Sequence, residues 1–473
     1  MTGMTTREDF DNLYKQGPDA VFAFVAELEG RLKVLEDRLG KDSHNSSKPP
    51  STDGFKKKPK SLRPNLGRSS GGQLKHPGRT LDFTDKPDSV VVHRPVACED
   101  CGTSLDGVDA ISFERRQVSD LPPIELVVTE HRLETRACPK CGKANSAPAP
   151  EGVDQPVQYG ARVRALIIYL LHVQLLPYRR TADMMADVFG APLSEGTLAN
   201  TSELASKGLA EVETAIVEAI KEAPIVHMDE TSQNIGGKRF RLHVACTTVL
   251  TFYMSHVKRG KAALDAIGIL AGFTGRAIHD GLSAYRIFDC EHGLCNAHHL
   301  RELICVHEQY QQQWAADMVT LLVEIKRAVA KAKEDGKQSL GALWECRFEG
   351  RYRKLLKVGY KANPPPAPSG KPGRTKQGVV RCLLLRLTRN ESEVLAFMHD
   401  FSVPFDNNQA ERDLRMMKLK QKVSGGFRSE EGAKQFCRIR GYVSTLRKQG
   451  INVLEALHSV FLGKPIMPNL TPE

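Results

Sequence analysis

The apolar positions of this chain change period from one stretch to the next, and each change predicts an element. Val21, Val25, Leu28, Leu32, Leu35 and Leu39 recur at spacings of four and three with charged residues between them, the a/d seam of a coiled coil. The seam is shorter than three heptads, so two readings stand: one amphipathic helix packed on its own chain, or self-association. From Lys41 to Thr80 the apolar positions nearly vanish, which predicts a flexible arm rather than a core. Residues 160–222 are helical throughout by periodicity, and the apolar window Ala165–Leu176, too short to span a bilayer, reads as a buried core helix. Thr181–Gly190 and Leu193–Asn200 follow as helix, turn, helix, with Gly190 in the turn and Ser194 as N-cap. The second of these helices carries little base, so plain packing accounts for it at least as well as base reading.

At Ile225-Val226-His227-Met228-Asp229-Glu230-Thr231 the pattern becomes a short apolar run ending in a carboxylate, a buried strand that delivers an acid. Gly236-Gly237 predicts a hairpin turn, after which Phe240, Leu242 and Val244 alternate with Arg239, Arg241 and His243. Leu250–Val257 predicts a third strand, Gly260–Phe273 a helix, and Arg276–Gly281 a fourth strand. A helix between strands predicts a right-handed crossover to a parallel partner. If the fourth strand pairs beside the first, Asp280 lies next to Asp229. A fifth strand is expected to end near Asn296. Long helices then run to Tyr360, with a Pro-rich break at Asn363–Gly370 and a further helix from Gln377 to Met398.

Two carboxylates held close repel each other, and a divalent cation is the usual relief. The best candidate for a third acid is Glu411. Asp406 with Gln409 three residues on matches a capping box, and Phe405 and Ala410 could staple the start of the helix. On that helix Ala410, Leu414 and Met417 share an apolar face, while Glu411, Arg415, Lys418 and Lys422 share the next. An acid followed by bases suits phosphoryl transfer on DNA. Glu230, Asp289, Asp400, Asp406 and Asp413 are the rival acids, of which Asp413 faces away from Glu411.

The chain has 473 residues, 41% hydrophobic and 26% charged, enough for about two to four domains. Its net charge of +11 favours a polyanionic partner. The arm concentrates base at Lys56, Lys57, Lys58 and Lys60, which suits phosphate tracking, a solvated linker being the bland alternative. The 11 cysteines form no disulfide framework. Four of them make the knuckles Cys98-Glu99-Asp100-Cys101-Gly102 and Cys138-Pro139-Lys140-Cys141-Gly142, separated by strand-like segments at 111–118 and 124–135. This spacing predicts one structural Zn²⁺, with redox pairs as the alternative. Cys290, Cys295, His298 and His299 could in principle ligate a second zinc; the preferred reading puts His298 or His299 near the catalytic metals as a supporting or substrate contact. No apolar signal core opens the chain, so a cytoplasmic protein is expected.

His227-Met228-Asp229-Glu230-Thr231, His279-Asp280-Gly281, Leu294-Cys295-Asn296-Ala297-His298 and Asp406-Asn407-Asn408-Gln409-Ala410-Glu411-Arg412, with Gly425-Gly426-Phe427 downstream, resemble the insertion sequence 66 family of DDE transposases. The order of parts is similar too, including Gly71-Gly72-Gln73 at the end of the arm. The resemblance implies a ribonuclease-H-like domain in which Asp229, Asp280 and Glu411 hold two Mg²⁺ (or Mn²⁺) ions for DNA cleavage and strand transfer. From the residues themselves, Arg412, Arg415, Lys418 and Lys422 are the expected DNA contacts, and His298, His299, Asn407 and Asn408 the candidate supports of the metal ligands. The sequence Asn-Ala-His-His-Leu-Arg after Cys295 departs from the family's commoner Trp-Ala-His-Ala-Arg-Arg, which points to a subgroup.

The expected architecture is therefore multidomain α+β or α/β. It comprises a coiled-coil-like helix (8–40), a basic arm (41–80), a zinc-ribbon module (81–150) and a helical DNA-binding-like domain (155–222). A ribonuclease-H-like mixed sheet (223–428) with a helical insertion at about 300–400 follows, then a C-terminal helical segment (429–473). The expected partners are element ends with inverted repeats and target DNA, a homo-oligomer, small accessory proteins and no membrane, in a bacterial nucleoid setting. Two other functions stand beside transposition: an inactive or domesticated DNA-binding regulator, and a stand-alone ribonuclease-H-like nuclease.

Overall fold

The computed structural model describes residues 6–42, 44–46, 81–366 and 377–471. Lys56, Lys57, Lys58, Lys60 and the Gly71-Gly72-Gln73 segment lie outside them. Among the described residues are 16 α-helices and two sheets, a two-stranded one and a five-stranded mixed one.

The strands are β1 (Thr135–Ala137), β2 (Ala144–Ser146), β3 (Ile225–Ile235), β4 (Lys238–Cys246), β5 (Thr251–His256), β6 (Arg276–His279) and β7 (Glu291–Leu294). The larger sheet has the order β5-β4-β3-β6-β7, antiparallel from β5 to β3 and parallel from β3 to β7. Gly236 and Gly237, both at positive φ, make the two-residue β3–β4 turn that only such residues fit comfortably. The helix before β6 is shorter than the expected Gly260–Phe273: it runs Lys261–Ile267 and stops at Gly268, whose φ of +68 ends it.

Strand alternation divides the sheet into two apolar faces. Val226, Met228, Ala245 and Ala277 face a core built with the helices Glu195–Gly208, Ala210–Lys221 and Glu430–Lys448. On the other face, Leu242 and Val244 pack against Ala410, Leu414 and Met417 of the Asn408–Ser424 helix. Further along that face Ile278 and Leu294 meet a separate core formed by the inserted helices Asn296–Tyr310, Gln313–Glu334, Ala342–Ala362 and Val379–Arg389. Helices fill most of the stretch from Asn296 to Arg389, and the fifth strand of the sheet is β7, ending at Leu294.

The helix-turn-helix geometry is also present: Tyr178–Phe189 ends at Gly190, and Ser194 caps Glu195–Gly208 by accepting from the Thr197 N–H. The coiled-coil-like helix spans Pro18–Leu39, and Val25, Leu28, Leu32, Leu35 and Leu39 on its seam are exposed rather than packed on the chain. The expected strands at 111–118 and 124–135 are absent apart from the start of β1; Ile111, Val118, Val127 and Val128 are exposed, so these extended segments gain no partner strand. Alternation of apolar residues supplied the β signal, but no second apolar layer covers it.

After the Asn408–Ser424 helix the chain returns to the tip of β3. Phe427 N–H donates to the Asn234 carbonyl at 2.9 Å, and Gly236 N–H donates to the Phe427 carbonyl at 2.9 Å. A Cβ on Gly426, at φ +135, would sit 2.4 Å from the Asn234 oxygen, whereas a Cβ on Gly425 would meet nothing within 4 Å. Gly426→Ala is therefore expected to destabilise the protein by about 2–4 kcal/mol through backbone collision and strain. Gly425→Ala, strained but unobstructed at φ +72, should lose only about 1 kcal/mol. Urea denaturation checks the pair, and equal losses would show that the close approach at Asn234 carries no weight.

Candidate functional site

The site begins with register. β3 pairs parallel with β6 as Val226↔Ala277 and His227↔Ile278, which brings Asp280, in the turn just past β6, close enough for its charge to act on Asp229 in β3. Asp280 Oδ1 accepts the Leu282 N–H at 3.0 Å, and His279, stacked on Tyr285, accepts the Gly281 N–H at 3.0 Å, so the turn after β6 is fixed from both sides. Burial, with Glu230, Asp280 and Glu411 adding negative charge, pushes the Asp229 carboxyl up to about 8.

Glu411 reaches the neighbourhood of these acids from the first turn of the Asn408–Ser424 helix. The expected capping box does not form: Asp406 Oδ1 accepts the Asn408 N–H, while the Gln409 side chain bonds Asp413 and Arg412. Nor does the staple, because Phe405 packs in the inserted core and Ala410 in the sheet core. Asn407 holds the helix start instead. Buried, it donates from Nδ2 to the Met228 carbonyl at 2.9 Å and meets His227 Nδ1 through Oδ1 at 2.8 Å. Its backbone N–H points at Cys295 Sγ, 3.2 Å away. This one side chain ties Glu411's helix to the residue before Asp229. Asn408 is exposed and makes no such tie.

Glu411 is 25% exposed and faces Cys295, His298 and Arg301, its Oε1 lying 3.9 Å from His298 Nδ1 and 3.7 Å from an Arg301 nitrogen. Asp229 feels both Asp280 and Glu411, yet the three carboxylates do not share one 4.8 Å cluster. Glu411 therefore has to turn toward the pair for all three to meet on one ion. His299, expected near the metals as an alternative to His298, is instead buried against Asn296 Oδ1 at 3.2 Å. One residue along the helix changes the direction of the side chain by about 100°.

Among the rival acids, Asp413 is structural, bound to Lys448 at 2.8 Å with the Tyr253 hydroxyl on its carbonyl. Asp406 pairs with Lys326, and Asp400 takes the Ser402 N–H and hydroxyl. Glu230 matters more than its place in the sequence indicates. It is 2% exposed, bonds Arg259 and accepts the Tyr285 hydroxyl at 3.2 Å. Arg259 reaches across to Asp280 Oδ2 at 3.5 Å, a cation set between two of the four acids. Only the general rule that clustered carboxylates need counter-charge signalled it.

Of the basic face, Arg415, Lys418 and Lys422 are exposed, and Arg412 donates to Gln409 Oε1. Burial and the nearby Arg241 and Arg239 hold Lys418 below its usual lysine value. These two arginines of β4 extend the patch and were not singled out from the sequence, because a strand's outward charges usually mark only a solvated face. In the knuckles, Cys98 N–H donates to the Thr103 carbonyl and Cys138 N–H to the Lys143 carbonyl, the same turn in both. The Thr103 hydroxyl and backbone hold the Cys101 thiol below its usual value, and the Cys141 and Lys140 amides do so for Cys138. Such donors suit thiolate ligands of a metal. The sulfurs stand as two pairs, not as one four-sulfur cluster.

A family model described as the transposase IS66 family matches residues 156–435. The chain belongs to the IS66 transposase family. The zinc-finger binding domain of transposase IS66 matches residues 95–142, and a family of unknown function matches 11–82. An uncharacterized protein of Sinorhizobium fredii, y4jO, is 34% identical over 70 residues, 15% of this chain; the match spans 22% of that relative's length. The zinc-finger match covers all four knuckle cysteines, Cys98, Cys101, Cys138 and Cys141. No helix among the described residues is long and apolar enough to cross a membrane.

The raised Asp229 pKa has a measurable sign. The folded protein holds this proton more tightly than the unfolded chain, so the group favours the fold at low pH, and that advantage is lost as pH rises from about 3.8 through about 8. Asp229→Asn in this IS66-family protein, without added divalent metal, is expected to melt several degrees above the wild type at pH 9, with the gap closing toward pH 4. Melting curves that coincide at pH 9 would mean that Asp229 is not under this strain.

Proposed function

We propose that the five-stranded domain is ribonuclease-H-like and that Asp229, Asp280 and Glu411 are the acid set of a two-metal DNA transposase. The observation that carries this reading is the parallel β3–β6 register, which brings Asp280 close enough for its charge to act on Asp229, as that of Glu411 does. The sheet order, three antiparallel strands followed by two parallel ones, supports the fold assignment.

The donor set suits Mg²⁺ or Mn²⁺, which take oxygen ligands. Asp229 sits in an excess of negative charge, and Glu411 Oε1 is buried without a hydrogen-bond partner among the described residues. Bound there, the cations would lower the pKa of an attacking water or 3′-hydroxyl and stabilise the leaving oxygen. The chain's own residues supply the rest. Asn407 fixes Glu411's helix against β3, and the His279–Tyr285 stack fixes the turn that carries Asp280. Arg259 pairs with Glu230 and shares Asp280, so it partly neutralises the acids and has to yield Asp280 when metal enters. Arg415, Lys418 and Lys422, with Arg239 and Arg241, form the positive surface along which a phosphodiester backbone would lie. The knuckles would hold the zinc that closes a DNA-touching module, and a cytoplasmic, nucleoid-associated setting follows from this activity.

Purified full-length protein, duplex DNA carrying the element's ends and Mg²⁺ should give cleavage at the 3′ ends followed by joining to target DNA. Asp229→Asn should reduce cleavage on the order of 10³-fold or more while leaving gel-shift binding of the same DNA in place. Binding without metal-dependent cleavage by the wild type would favour a DNA-binding regulator. Cleavage with no joined product would favour a stand-alone nuclease.

A further inference from the structure

One set of three or more potential metal ligands is gathered within 4.8 Å among the described residues, and it is not the acid set above. It consists of Cys295 Sγ, a ring nitrogen of His298 and a carboxylate oxygen of Glu411. The fold brings them together through two helix starts. Cys295 follows β7, its N–H donating to the His279 carbonyl at 3.0 Å, and the helix that begins at Asn296 carries His298 in its first turn. The Asn408–Ser424 helix carries Glu411 in its own first turn. Asn296 N–H donates to the Phe405 carbonyl at 3.1 Å and Asn407 N–H points at Cys295 Sγ at 3.2 Å, so the two starts are bolted side by side.

The side chains converge without satisfying one another. His298 Nδ1, Arg301 Nε and Glu411 Oε1 are buried and have no hydrogen-bond partner among the described residues. The 3.9 Å between His298 Nδ1 and Glu411 Oε1 is too long for a hydrogen bond and close to the separation of roughly 3–4 Å between ligand atoms of a tetrahedral metal. Orphaned buried polar atoms ask for a missing partner. Arg301, 3.7 Å from the same oxygen, is a neighbour in charge and not a hydrogen-bond donor at that distance.

We propose that Cys295, His298 and Glu411 bind a transition-metal cation of the zinc class, at a site separate from Asp229 and Asp280. Sulfur and imidazole donors select Zn²⁺ over the oxygen-seeking Mg²⁺, and three protein ligands leave a fourth position open. The amide of Asn407 directed at the sulfur is the kind of second contact that thiolate ligands keep. Because Glu411 serves both sites, zinc held here withdraws it from the acid pair and inhibits cleavage. That consequence rests on the function proposed above; the site itself does not.

Metal-free full-length protein is loaded with excess ZnCl₂, passed over a desalting column and analysed for zinc per chain. The wild type is expected to carry one more zinc than Cys295→Ser or His298→Gln, whatever the zinc finger retains. Circular dichroism and melting show whether each variant is folded. Cys295 is fully buried, so if its variant unfolds, His298→Gln, at a partly buried position, carries the test. Equal zinc in folded His298→Gln and wild type overturns the site. In a separate arm, Mg²⁺-dependent cleavage is measured with and without added zinc. Absence of cleavage without zinc would count against the acid set and leave the zinc count standing. Inhibition that persists undiminished in His298→Gln overturns the sharing of Glu411.

Discussion

The parallel pairing of β3 with β6 is the constraint on which the rest depends. It carries Asp229, within β3, and Asp280, in the turn just past β6, to neighbouring positions, where the turn contacts of His279 and Leu282 hold Asp280 in place. Like charges so placed are costly, and the protein keeps them only because the two cores clamp the sheet from both sides. Burial first, and then the charges of Glu230, Asp280 and Glu411, raise Asp229 to about 8, and Arg259, set between Glu230 and Asp280, offsets part of that negative charge. Around this pairing lie the other parts of the candidate site, the basic residues of β4 and of the Asn408–Ser424 helix and the third acid, Glu411, in that helix's first turn.

Much of this was legible because it depends on period and order. Alternation in β4, the Gly236-Gly237 turn and the helix before β6 were enough to derive the crossover, and with it the juxtaposition of Asp229 and Asp280. The apolar face of Ala410, Leu414 and Met417 was likewise readable, since burial of a helical stripe is a property of spacing. The sequence's cap signals had mixed success for a physical reason. Ser194 bonds the amide three residues on, as the local pattern requires, because nothing else competes for it. At Asp406 a tertiary partner competes: buried Asn407 takes the helix start to Met228 and His227, contacts about 180 residues away that no local pattern contains.

The same distinction explains the other departures. His298 and His299 are adjacent in sequence, and only the packing of the Asn296–Tyr310 helix decides that one faces Glu411 and the other Asn296. Arg259, Arg301, Arg239 and Arg241 are ordinary surface charges until the fold gathers acids or other bases around them. In 111–135 the alternation was strand-like, but a strand needs a partner and a cover, and neither is present within the described residues.

The placement of Glu411 follows from the helix that carries it. Phe405 and the inserted helices belong to one core, and Ala410, Leu414 and Met417 to another, so the few residues from Phe405 to Glu411 bridge two separately packed bodies. Asn407 is the pin in that bridge, bonded at once to β3 and to Cys295 at the end of β7. A small tilt of the inserted helices on the sheet would move the start of Glu411's helix far more than its end, where Gln421 bonds the Ser232 carbonyl and Gly426 is fitted against Asn234. Packed bodies hinge at such joints rather than deform. On the function proposed above, the insertion stands where such a tilt would decide whether Glu411 meets the acid pair or the Cys295–His298 pocket.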